Sequence, residues 1–181
     1  KVDPAQVFSA IDAADKLLAE FKLDFPVEKN PARKMAEQLF QRYPYYVVSE
    51  FLTGVGNAVA NQTNETAKAI SSFRVIPELN HHLMEGLKFP DKLHDIATFV
   101  FFYSNFYSEP IQKRFRITKE VVEQNKVQTL WYELKGKTKL EQAFELMGFG
   151  SYLSMYLSDL YGQDPSAIPF VDYFKKKLKE I

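Results

Sequence analysis

Apolar residues along this chain fall into two alternating rhythms, one helical and one strand-like. Behind Asp3-Pro4, which reads as an N-cap followed by a first-turn proline, Val7, Phe8, Ile11, Leu17, Leu18 and Phe21 recur at helical spacing. Asn30-Pro31 repeats that signal for a second helix carrying Met35, Leu39 and Phe40, with Pro44 as its stop. Residues 45–48 are consecutively apolar, as in a buried strand. Gly54 and Gly56 bracket a turn into a helix whose pattern runs to about residue 72, and 73–76 is a short strand. Residues 78–85 read as a short helix ended by Gly86. Residues 96–103 (IATFVFFY), β-branched and aromatic throughout, give the strongest strand signal. An amphipathic helix over 110–124 carries Ile111, Phe115, Val121 and Val122, and 127–134 alternates as a strand. Thr138 and Glu141 have capping-box spacing for a long helix to residue 161, in which Gly148 and Gly150 permit close packing. Asp164-Pro165 interrupts the chain before a terminal helix over 169–179.

Strands separated by helices predict an α/β fold, a mainly parallel sheet flanked by helices. The chain reads as one domain: residues 1–43 supply two helices as an arm or connector, and 44–181 form the α/β core. In such sheets ligands bind beyond the carboxyl ends of strands. The glycine-containing turn after residue 48 lies at such an end and leads into the most polar part of the chain.

Composition narrows the function classes. Formal net charge is zero, with 23 basic and 23 acidic side chains, which argues against a nucleic-acid partner. Cysteine is absent, so a disulfide, a thiol nucleophile and a cysteine-ligated metal are excluded, and a reducing compartment is permitted. The longest apolar run, around 99–103, is too short to cross a bilayer. Sixteen phenylalanines and ten tyrosines suit a well-filled core or a subunit interface. The chain starts at Lys1 rather than Met, as part of a longer polypeptide would.

Residues 61–86 gather Asn61, Gln62, Asn64, Glu65, Lys68, Glu78, Asn80, His81 and His82, including two of the three histidines. Carboxylates, amides, a lysine and imidazoles together are what proton transfer requires. Asn61, Glu65 and Lys68 are spaced i, i+4, i+7 and share one helix face. The plain alternative is a solvated face with a Glu–Lys contact. Against it, Asn61, Gln62 and Asn64 are middling to poor helix formers, where a solvated helix more often uses Lys, Arg and Glu. His81 and His82, being adjacent, point to different sides of a helix, and His94 completes no zinc-ligand spacing, so no metal is expected. Gly54-Val55-Gly56 lacks the third glycine of a dinucleotide fingerprint, and there is no P-loop. Lys175, Lys176 and Lys177 read by default as a solvated helix end favoured by the macrodipole.

The order NQTNETAK followed by PELNHHLMEG resembles the second sugar-isomerase (SIS) half of bacterial and archaeal bifunctional phosphoglucose/phosphomannose isomerases. That family carries an N-E-N-A-K-like helix and a P-E-L-N-H-N-E-like segment. The resemblance continues through RFRITKEVVEQNKV and FGSYLSMYLSDLYGQDPSAIPFVDYFKKKL, covering most of residues 45–178. It implies an SIS-type fold and aldose–ketose isomerisation of glucose 6-phosphate or mannose 6-phosphate with fructose 6-phosphate, without cofactor or metal. Glu65 matches the glutamate that moves a proton between C1 and C2 through a cis-enediol. His81 matches the histidine that helps open the sugar ring, and Lys175, with Lys176 as the near alternative, matches a lysine assisting that step. Asn61, Gln62, Asn64, Lys68 and His82 are then expected around the substrate. Where the family has Asn-Glu after the histidine, this chain has His82-Leu83, leaving Glu85 as the replacement carboxylate. The resemblance also implies a cytoplasmic homodimer of carbohydrate metabolism, in glycolysis and gluconeogenesis, whose histidine comes from the neighbouring subunit. Nothing before Tyr45 resembles the first SIS half, with its Ser/Thr-rich phosphate loop and arginine, so that half is expected as a partner and this chain alone should turn over little or nothing. The rival readings are a non-catalytic sugar-phosphate-binding module and a structural dimerisation domain; Glu65 and His81 together favour the enzyme.

Overall fold

Asp3 and Asn30 cap the first two helices as their Xaa-Pro signals predict. In the computed structural model, which describes residues 3–180, α1 is Pro4–Leu18 and the Asp3 carboxylate accepts the Ala5 N–H at 3.0 Å. Helix α2 is Pro31–Leu39, and Asn30 Oδ1 accepts the Arg33 N–H at 3.0 Å. Pro44 does not stop that helix. Phe40 already turns out of it with ψ 128°, Gln41 takes φ 61°, and Pro44 is the second residue of β1, Tyr43–Val48. It is tolerated there because pairing with β2 (Ser72–Val75) starts only at Tyr45, so Pro44 lies at the strand's unpaired margin on that side.

The sheet has the order β2-β1-β3-β4, all parallel, with β3 at Ala97–Tyr103 and β4 at Gln128–Glu133. Every residue of β3 is buried, which explains its unbroken apolar run: both faces of this central strand are covered. Aromatic side chains divide by parity. Tyr45, Phe99, Phe101, Tyr103 and Trp131 line one face, where Phe101, Tyr103 and Trp131 meet Phe115 of α6 (Glu109–Gln124). Tyr46, Phe102 and Tyr132 line the other face, where Phe102 and Tyr132 meet Phe149 of α7 (Lys139–Leu160).

Helix α7 anchors that second layer, packing against α1, α2 and α3 (Thr53–Thr66). A Cβ on Gly148 would run into the Leu18 methyls of α1, and one on Gly150 would lie 2.7 Å from a Val59 methyl of α3. The two glycines thus serve different helix crossings. Residues of the 1–43 segment do not stand apart, since Phe21, Ala32, Met35, Ala36 and Leu39 are buried in the common core. The turn before α3 is the 3-10 segment Glu50–Leu52, and Gly54 and Gly56 lie inside the helix. Helix α3 also ends well before residue 72. Lys68 adopts a left-handed φ of 56°, and Asn64 Oδ1 accepts the Ser71 N–H at 2.7 Å, so a side chain closes the turn without glycine. The helix expected over 78–85 is divided into α4, Leu79–His82, and a 3-10 turn at Glu85–Lys88. Helix α5 is Leu93–Ile96, and α8 is Pro169–Leu178.

Candidate functional site

Helix α3 leaves the carboxyl end of β1, where Gly56 touches Val48, and its 14 residues span about 21 Å. Its last turn therefore lies near the amino ends of the strands. Lys68, just beyond it, shares a cleft with Arg42 and Tyr43 at the start of β1 and with Ile96 before β3. Glu65 is consequently not in the crevice beyond the strand carboxyl ends, where a ligand was expected. The helix carries its last turn about a full strand length away from that crevice.

Glu65 instead opens onto a cleft of about 560 Å³ formed where α3 faces the segment leading into α8. Asn61, Asn64, Glu65 and Lys68 form one wall, residues 167–171 the other, and Lys175 of α8 reaches the same space. Lys68 Nζ donates to the Glu65 carbonyl at 2.5 Å and to the Pro165 carbonyl at 3.2 Å, joining the two walls. The Asp164 carboxylate accepts the Ser166 N–H at 2.8 Å and its hydroxyl at 2.7 Å, which fixes the loop and holds that carboxyl below its usual range. The cleft therefore offers one carboxylate, two ammonium groups and two amides, with both Glu65 and Lys175 exposed to water.

The other predicted residues are distributed less compactly. Gln62 turns to α7, where its amide donates to the Ser151 hydroxyl at 2.9 Å beside Gly150, so it lies outside the cleft. Asn64 lines the cleft while its carbonyl oxygen is committed to Ser71. Lys175 lines the cleft and Lys176 does not. His81 and His82 lie on α4, past the carboxyl end of β2, and both are exposed; His82 Nε2 is 3.9 Å from Glu78 Oε1. Glu85 is exposed in the following turn. The 61–86 segment is thus divided between opposite ends of the sheet, because β2 carries the chain from one to the other. Among the described residues, no group of three or more His, Cys, Asp or Glu side chains is placed to hold a metal ion, and no helix is long and apolar enough to cross a membrane.

A buried polar network at the carboxyl ends of β3 and β4 was not foreseen. Glu145 accepts the Tyr132 hydroxyl and the N–H groups of Lys135 and Gly136, each at 2.9 Å. Burial pushes its carboxyl up, opposed by the Gly136 amide and the Tyr132 hydroxyl. Gln142 accepts the Ser104 hydroxyl at 2.5 Å and donates to Asn105 Oδ1 and the Gly136 carbonyl, each at 3.0 Å. The available signal was positional: Gln142 and Glu145 occupy the same helical stripe as the buried Leu146 and Phe149.

Residues 28–178 match the family described as the bacterial phospho-glucose isomerase C-terminal SIS domain. The chain is 26% identical to a bifunctional phosphoglucose/phosphomannose isomerase of Caldicellulosiruptor bescii, over 97% of this chain and 52% of that protein. It is 27% identical to one of Thermoplasma volcanium, over 93% of this chain and 53% of that protein. The chain therefore spans about half the length of the curated relatives it matches. In fold it is similar to a glucose-6-phosphate isomerase like protein from Thermus thermophilus, with a TM-score of 0.77 at 23% identity, covering 92% of this chain and 56% of that one. It is also similar to the C-terminal domain of a glucosamine-fructose-6-phosphate aminotransferase from Francisella tularensis, with a TM-score of 0.65 at 12% identity, covering 90% and 45%. The match over most of its length places the chain in the family of bacterial phosphoglucose isomerase C-terminal SIS domains.

Proposed function

We propose that this chain is the carboxy-terminal half of an aldose–ketose isomerase acting on glucose 6-phosphate or mannose 6-phosphate. The observation that carries this reading is the meeting of Glu65 and Lys175, from distant parts of the sequence, in one cleft. Glu65 takes the proton from C2 of the open-chain aldose and returns it to C1 of the cis-enediol, while a proton passes from O2 to O1 as the carbonyl moves from C1 to C2, giving fructose 6-phosphate. A single carboxylate serves both steps because the two carbons are adjacent. Lys175 assists ring opening, and Lys68 and Lys175 supply positive charge near an anionic substrate and the enediolate.

Two features of the cleft fit half an enzyme rather than a whole one. Glu65 is exposed, whereas carbon-acid chemistry calls for a carboxylate withdrawn from water. An amino-terminal SIS half, of the extent the relatives have beyond the matched region, supplies that cover and the phosphate-binding loop. His81 lies at the other end of the sheet, so the site receives this imidazole from a second copy in a homodimer. Gln62 and His82 have no part in the cleft in this reading.

The test is fructose 6-phosphate formation by the polypeptide that carries both halves, compared with its Glu65→Gln variant. Loss of a general base is expected to lower kcat by about 10² to 10⁴. Full activity in the variant overturns Glu65 as the base. A protein that binds a sugar-acid phosphate in a thermal-shift assay without isomerising sugar phosphates is a non-catalytic module, and one that does neither is a scaffold.

A further inference from the structure

Helix α8 is the element least accounted for by its own surroundings. None of its ten residues is buried, yet it carries Phe170, Val171, Tyr173, Phe174 and Leu178 with relative exposures of 88%, 44%, 63%, 60% and 56%. At 100° per residue, Phe170, Phe174, Leu178 and Val171 form a continuous stripe, and Lys175 lies on its border. A ten-residue helix is too short to be stable in water by propensity alone, so its apolar stripe needs a cover. The family match extends to residue 178, which makes α8 part of the domain rather than an appended tail.

We propose that the apolar stripe of α8 is the docking surface for the amino-terminal SIS half. The inference rests on the reading that such a half accompanies this chain. Size selects the occupant. A helix of this length is about 15 Å long and 10 Å wide. It falls well short of the roughly 800 Å² per partner that a free-standing protein complex buries. A half joined covalently to this chain needs less area, because the linkage supplies a high effective concentration. The relatives extend about as far again beyond the matched region, so the chain length for such a neighbour exists in the family. Position selects it too. Phe170 and Val171 belong both to the stripe and to the rim of the Glu65 cleft, so a body seated on α8 also roofs that cleft. Lys175 is then held at the seam between the two halves.

Hydrogen exchange tests this on the 181-residue chain and on the polypeptide carrying both halves. The α8 amides are expected to exchange at least about tenfold more slowly in the longer protein, and the Phe170→Ser/Phe174→Ser double variant is expected to abolish that difference. The same double substitution in the 181-residue chain should leave its thermal midpoint nearly unchanged, since neither side chain is buried. Equal α8 exchange in the two proteins overturns the proposal. So does protection in the 181-residue chain that grows with concentration, which makes a second copy the occupant, and so does a parent reading frame with no upstream half. Isomerase activity is a separate readout: α8 protection in a protein whose Glu65→Gln variant is fully active leaves the docking standing and removes the catalytic reading.

Discussion

The Glu145 carboxylate is withdrawn from water and held by the Tyr132 hydroxyl and the amides of Lys135 and Gly136. These bonds fix the turn between β4 and α7, but they do not fully compensate the lost hydration, and the carboxyl is pushed up. A carboxyl with a raised folded-state pKa binds more protons in the native than in the unfolded state. Its contribution to stability is therefore greatest below the ordinary glutamate range and declines as pH rises through the folded-state value. Glu145→Gln should accordingly gain on the parent as pH rises across that window, which urea midpoints at several pH values will show. Glu145→Ala should be worse at every pH, by about 3 kcal/mol, because it strands the buried Gly136 N–H and Tyr132 hydroxyl together with the part-buried Lys135 N–H. Asn30 combines a legible role with a hidden one. Its cap on α2 could be read from Asn30-Pro31, yet its amide nitrogen also reaches the Phe21 and Lys22 carbonyls and the Tyr156 hydroxyl, at 3.0, 3.1 and 3.0 Å. Partners so far apart in sequence leave no local pattern. Asn30→Asp keeps the cap and loses those donors, so it should still be destabilised, by at least about 1 kcal/mol in denaturant titration.

At the scale of elements, the sheet was legible because a strand covered on both faces must be apolar throughout, and that composition needs no partner to be recognised. The ends of helices were harder. Helix α3 stops through a left-handed Lys68 and the Asn64 side chain, where the usual signal is glycine, so the polar pattern reads on past the true end. Pro44 misled in the opposite sense, because a strand margin accepts what a strand interior refuses. The glycines of α7 were read as sites of close packing, and the structure separates their roles. Gly150→Ala brings its methyl against Val59 near the Cβ branch, which cannot retreat freely from the α3–α7 crossing, and against Gln62 Oε1, the end of a flexible side chain that can swing aside. We expect about 1–2 kcal/mol of destabilisation in urea. Gly148→Ala meets only the end of the Leu18 side chain, which can change rotamer, while the helix gains up to about 1 kcal/mol from replacing glycine. That variant should be near neutral. Equal losses at both sites would show that the two crossings are equally rigid.

At the scale of the molecule, the polar segment that looked like one site in the sequence joins two ends of a sheet. Periodicity placed Asn61, Glu65 and Lys68 on one face, but only the parallel crossover through β2 determines that His81 emerges at the far end. The separation is on the order of 20 Å, the length of α3, which is far beyond the reach of two side chains toward one sugar. If Glu65 and His81 serve one reaction, as proposed, they must come from different copies. This makes a prediction for the two-half polypeptide. Glu65→Gln and His81→Ala homodimers should each be nearly inactive. When the two are unfolded together and refolded as a mixture, half the dimers are mixed, and each mixed dimer has one site with both native residues and one with neither. Activity should therefore return to about one quarter of the parent's. Refolding either variant alone under the same conditions should restore nothing. If the mixture also stays inactive while size-exclusion and tag-exchange measurements show mixed dimers, the two residues do not complete a shared site. In that case a histidine-independent ring opening, or another acid at the Glu65 cleft, must replace the role given to His81.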